Sequence, residues 1–156
     1  MYAQVALILA LAHRPELLIL DDPTLGLDTI VRKEFMEEII GVLNEQECTV
    51  FFSTHIINEI EFLADHVGIM KEGKLILSLP LEELKQSVKQ IRMIFDEGVP
   101  NIPTLPQILG ENRTQNEIVL TVKEYNESLV SEFQKLNPKK LETIDLTLEE
   151  IFVAIA

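Results

Sequence analysis

Residues 17–29 read LLILDDPTLGLDT. Four aliphatic residues, Leu17 to Leu20, run into two adjacent carboxylates, Asp21 and Asp22. A Pro, a Gly-containing turn and a third acid, Asp28, follow. A short apolar run bounded by Pro15 and by acids reads as a strand covered on both faces, as in a parallel sheet. Acids at the carboxyl end of such a strand stand where open α/β sheets bind ligands. One can hold Mg²⁺, usually through water because Mg²⁺ dehydrates reluctantly. A second can orient or deprotonate a water. Taken alone, the pair is equally well read as the polar end of a strand, whereas Gly26-Leu27-Asp28 reads first as a turn and helix N-cap and His55 first as a structural hydrogen-bonder.

The surroundings extend the pattern. Residues Gln4 to His13 form a helix apolar on nearly every face, hence a buried one, and Pro15 stops it. Thr29 to Asn44 has helical spacing, with Ile30, Phe35, Met36, Ile39, Ile40 and Leu43 on a stripe. Cys48 to Phe52 (CTVFF) is β-branched and aromatic, a second strand. Ser53-Thr54-His55 and a helix over 56–64 follow. Strand, helix, strand, helix indicates an α/β layer on a parallel sheet. In HVGIMKEGKLILSLP two apolar runs flank Lys71-Glu72-Gly73, a hairpin turn, and Pro80 opens a helix to about Gln90.

After residue 90 the elements shorten. Ile91 to Phe95, Glu117 to Val122 and Leu141 to Leu146 read as strands, and residues 127–136 as a helix. Residues 98–106 hold three prolines and read as an irregular loop. A helix over 147–156 opens with Thr147 and Glu150 at the spacing of a capping box. The expected organisation is an α/β part over 1–90 and a small α+β domain over 91–156.

The chain has 156 residues, 47% hydrophobic and 25% charged, enough apolar material for a sizeable core. Its formal net charge is -13, from 26 acids against 13 Lys and Arg. That balance disfavours nucleic-acid binding, which needs clustered cations on phosphates, and adhesion to anionic lipid. The single Cys48 cannot form an internal disulfide, fits a reducing compartment and reads as a small buried hydrophobe. The first helix is too short to span a bilayer and lacks the basic flank of a signal peptide.

In order and spacing the pieces become specific. Leu17-Leu18-Ile19-Leu20-Asp21-Asp22-Pro23-Thr24 resembles the Walker B strand of ATP-binding cassette (ABC) ATPases. Leu25-Gly26-Leu27-Asp28 resembles their D-loop, Ser53-Thr54-His55 their switch histidine, and His13-Arg14-Pro15-Glu16 the linker before Walker B. The hairpin around Gly73 fits as well, so the resemblance covers about residues 3–90. The tail, ending IDLTLEEIFVAIA, is similar to the accessory C-terminal region of bacterial exporter-type subunits.

The resemblance implies an α/β fold, part of a P-loop NTPase sheet, followed by a small α+β domain. It implies an ATP-hydrolysing subunit that couples hydrolysis to export, with ATP and Mg²⁺ as cofactors. Asp21 would hold Mg²⁺ through water. Asp22 would be the catalytic carboxylate beside the attacking water. His55 would contact the γ-phosphate and steady that water. Gly26, Leu27 and Asp28 would lie at the interface with a second ATPase subunit. The partners implied are that subunit, forming a dimer, and a membrane-spanning permease that holds the cytoplasmic protein at the inner face of the membrane. No nucleic acid and no direct lipid insertion are expected.

Two departures stand out. The family carries glutamate where this chain has Asp22, which is shorter by roughly 1.5 Å, one carbon–carbon bond. The second is an absence: G-x-x-x-x-G-K-[ST], the phosphate loop, has no full match. Gly68, Gly73 and Lys74 have the spacing, but Leu75 stands where a hydroxyl must reach Mg²⁺, and the stretch reads as a hairpin rather than a strand opening into a helix. The Q-loop and signature sequence are missing too; the signature would end just before Met1 or Tyr2. The expectation is a C-terminal portion without its front half, inactive and weak in ATP binding by itself. The alternative is a catalytically silent, cassette-derived module that binds a partner protein.

Overall fold

The computed structural model describes residues 2–45 and 48–155. Contacts divide the chain into two compact units, Met1–Leu63 and Ala64–Ala156.

The first unit runs α1 (Tyr2–Leu11), β1 (Leu17–Asp21), α2 (Thr29–Glu45), β2 (Thr49–Ser53) and α3 (Ile57–Ile60). β1 and β2 pair in parallel, from Leu17 opposite Thr49 to Asp21 opposite Ser53. Parallel neighbours need a crossover, and α2 provides it. The core joins Leu7 of α1, Leu18 of β1, Phe35 and Ile39 of α2, and Cys48, with Leu20 and Val50 packed against it. The expected burial of Cys48 is met.

Two expectations about burial are corrected. β1 is covered on one face only: Leu18 is 4% exposed, whereas Ile19 is 66% exposed and lies opposite the equally bare Phe51. α1 is not buried all round. Leu7 is covered, but Val5, Ile8 and Leu9 face outward. Apolarity on every side permits burial; it does not provide elements to cover every side. The helix expected over 56–64 is also shorter, a single turn at Ile57–Ile60.

The second unit opens with a hairpin, β3 (His66–Lys71) and β4 (Lys74–Pro80), then α4 (Leu81–Ser87). Glu72 and Gly73, at φ 51 and 74, form its two-residue turn. Two successive positive φ angles match the twist of the flanking strands. Lys74 therefore begins a strand, and the near-match to a phosphate loop is a hairpin.

β5 (Lys89–Ile94), β6 (Ile108–Arg113), β7 (Glu117–Val122), α5 (Glu127–Gln134), β8 (Lys140–Asp145) and α6 (Leu148–Ile155) complete the chain. The four strands form an antiparallel sheet in the order β6-β7-β5-β8. Alternation places Ile91 and Met93 of β5 and Ile118, Leu120 and Val122 of β7 on one face, all fully buried. Leu129 and Phe133, one helical turn apart on α5, belong to that core. The other face carries ions: Arg92 lies 2.6 Å from Glu117 and 3.6 Å from Glu142. The capping box forms as expected, with the Glu150 carboxylate accepting from the Thr147 N–H at 2.8 Å. Ala156, the end of the expected last helix, lies outside the described residues. The expected boundary after residue 90 falls inside β5. β6 forms where the sequence, ILGENR, carries no alternating pattern.

Candidate functional site

The acids of LLILDDPTLGLDT meet β2 through its register. Asp21 ends β1 opposite Ser53. The Ser53 hydroxyl donates to Asp21 Oδ1 at 2.5 Å. The Asp22 N–H is held by both the Ser53 carbonyl at 3.1 Å and the Ser53 Oγ at 3.0 Å. One serine therefore fixes both carboxylate residues.

Asp22 leaves the strand conformation. Its φ is 44, in the left-handed region that costs most L-residues about 1–2 kcal/mol and that Asp enters more readily than most. Strand alternation would have aimed residue 22 toward the covered face with Leu18 and Leu20. Instead its Oδ2 lies 2.9 Å from His55 Nδ1. Its Oδ1 is buried with no hydrogen-bond partner. A buried carboxylate oxygen left unpaired costs about 1–3 kcal/mol or more. The His55 ring is 63% exposed, consistent with a side chain free to meet a ligand.

The loop after Asp22 is a folded strap. The Leu25 N–H donates to the Asp22 carbonyl at 3.0 Å and the Leu27 N–H to the Thr24 carbonyl at 3.1 Å. Gly26 sits at φ 77 with open space where a Cβ would be, so its requirement is conformational rather than steric. Asp28 caps α2: its Oδ1 accepts from the N–H groups of Ile30 and Val31, each at 3.0 Å. The N-cap reading of Asp28 is therefore met.

The fold thus brings Asp21, Asp22 and His55 together at the carboxyl ends of two parallel strands, with Gly26, Leu27 and Asp28 on the adjoining strap. Among the described residues, no three His, Cys, Asp or Glu side chains form a metal cluster. Mg²⁺ does not need one: it takes one or two carboxylates and completes its shell with water and phosphate oxygens. Asp21 has the donor chemistry for that. Ser53 and Thr24 enter the sequence reading only as members of the Ser53-Thr54-His55 and Walker B-like stretches, and Arg32 and Glu59 carry no sequence signal. Ser53 could have been found from the strand register, which sets it opposite Asp21.

No protein-family model matches the chain. It is 53% identical over 77 residues to the bacitracin transport ATP-binding protein BcrA of Bacillus licheniformis, covering 49% of this chain and 25% of that protein. The match to the ABC transporter ATP-binding protein YtrB of Bacillus subtilis is 29% identical over 157 residues, covering 97% of this chain and 52% of the relative. The uncharacterized ABC transporter ATP-binding protein YdbJ of Bacillus subtilis is 33% identical over 150 residues, with 92% and 48% covered. Among solved structures, cbiO1 from Clostridium perfringens, described as part of the ABC transporter complex cbiONQ, is 34% identical with a TM-score of 0.48, over 54% of this chain and 35% of that one. The chain spans about half the length, or less, of the curated relatives it matches.

Proposed function

We propose, for a chain whose relatives are ABC transporter ATP-binding proteins, that residues 17–55 form the Mg²⁺ and water side of an ATP site. The observation that carries this reading is the Asp21–Ser53 and Asp22–His55 pairing across two parallel strands. Asp21 would hold Mg²⁺ through water, and the ion when bound would neutralise charge on the phosphates. Asp22 would be the carboxylate beside the attacking water. His55 would steady the γ-phosphate from Nε2.

Gly26, Leu27 and Asp28 would face a second ATPase subunit. Residues 1–90 would be the cassette part and 91–156 an accessory domain. The whole would be held to the membrane by a permease and couple hydrolysis to export. No helix among the described residues is long and apolar enough to cross a membrane. A phosphate loop is not among the 156 residues, so a working site needs one from elsewhere.

The test is a complete subunit carrying Asp22→Asn. ATP binding should persist while turnover is lost; turnover at the parent rate would refute the reading.

A further inference from the structure

Thr24 is 1% exposed, the buried polar residue of the described core. It lies on the strap between Asp22 and Asp28. Its hydroxyl donates to Glu59 Oε2 at 3.0 Å. The other oxygen of that carboxylate, Oε1, lies 3.0 Å from Arg32 Nε, a close ion pair not aligned as a hydrogen bond. Arg32 in turn donates from Nη2 to the Leu27 carbonyl at 3.2 Å. Glu59 is thus tied to the strap twice, directly at Thr24 and through Arg32 at Leu27. It stands on α3, four residues after His55.

We propose that Glu59 is a positioning residue, whose carboxylate locks the strap carrying Asp22 and Asp28 to the segment carrying His55. The linkage has the right geometry for this. Asp22 is strained in the left-handed region, and such a conformation persists only when its surroundings over-determine it. Ser53 holds Asp22 from the N-terminal side. Thr24 holds the strap two residues beyond it, and the Asp28 cap closes the far end. Glu59 joins this strap to α2 and α3 with the stronger class of hydrogen bond, one accepted by a carboxylate. The side chains of Glu59 and Arg32 are 14% and 28% exposed, so the tie is shielded rather than a solvated surface pair.

The purpose given to the tie rests on the nucleotide-site reading, but its test needs no nucleotide. Amide hydrogen exchange and the His55 ring resonances would be followed by NMR in the 156-residue chain and in Thr24→Val, Thr24→Ser, Glu59→Gln and Glu59→Ala. Thr24→Val and Glu59→Ala should speed exchange at Leu25 and Leu27 by about tenfold relative to Ile39 in the core, the equivalent of one charged hydrogen bond. Both should shift the His55 ring resonances. Thr24→Ser keeps the hydroxyl and should match the parent; Glu59→Gln keeps an acceptor and should fall between. Equal acceleration of strap and core amides, or unchanged His55 resonances in Glu59→Ala, would overturn the proposal. A failed tie appears in the exchange pattern, whereas a failed nucleotide-site reading appears in turnover of the complete subunit.

Discussion

Asp22 Oδ2 and His55 Nδ1 lie 2.9 Å apart across 33 positions of sequence. The contact depends on a strained backbone at Asp22 and on the serine opposite Asp21. It sets what the shortened acid can do. One carboxylate oxygen is engaged by His55 and the other is buried. A side chain one methylene longer would reach roughly 1.5 Å further, and small misplacements cost up to about a hundredfold. Asp22→Glu in a complete subunit should therefore raise single-turnover hydrolysis by about tenfold or more; equal rates in rapid-quench measurements would contradict this.

His55→Ala separates function from stability. The ring is mostly exposed, and surface substitutions usually stay within about 0.5 kcal/mol. Thermal melts of the 156-residue chain should barely move. Turnover of the complete subunit should fall by roughly a hundredfold, the cost of losing a positioning contact. A large loss of stability would mean that the pair is structural.

The one-sided cover of β1 gives a contrast within two adjacent residues. Leu18→Ala removes a buried side chain and should cost about 2–5 kcal/mol. Ile19→Ala, on the bare face, should cost less than about 0.5 kcal/mol. Urea denaturation of the two variants checks this. Equal losses would show that the outer face is covered in solution.

These contrasts also mark what was legible in the sequence. The strand at Leu17, the helix after Asp28 and the strand ending at Ser53 follow from apolar runs and an N-cap, which are local signals. The strand Ile108–Arg113 was not visible. ILGENR lacks alternation, and β7, its partner, supplies the order. The bare faces of α1 and β1 were misread because hydrophobicity reports what could be buried, not what is there to cover it. Thr24 and Glu59 look like ordinary loop and helix residues, and only the fold closes the 35 positions between them.

The ion pairs of the second unit predict an acid limb. The hydrogen bond from Lys89 holds the Asp145 carboxyl below its usual range, and Lys140 does the same for Glu142. Lowered carboxyls contribute stability that is present above their unfolded values, about pH 4. That stability is lost as pH falls through the folded values. Arg92, pushed up by Glu117, stays charged throughout. Melts between neutral pH and pH 3 should show Tm falling more shallowly in Asp145→Asn than in the parent chain. Identical slopes would remove Asp145 from the acid response.

Asp21, Asp22 and His55 would form one wall of an ATP site whose phosphate cradle is not among these 156 residues. Calorimetric titration of the isolated chain with Mg-ATP tests it most directly. The expected result is no saturable binding tighter than about 1 mM, less than roughly 4 kcal/mol of binding free energy. Mg²⁺-dependent binding in the low micromolar range, abolished by Asp21→Ala, would contradict it.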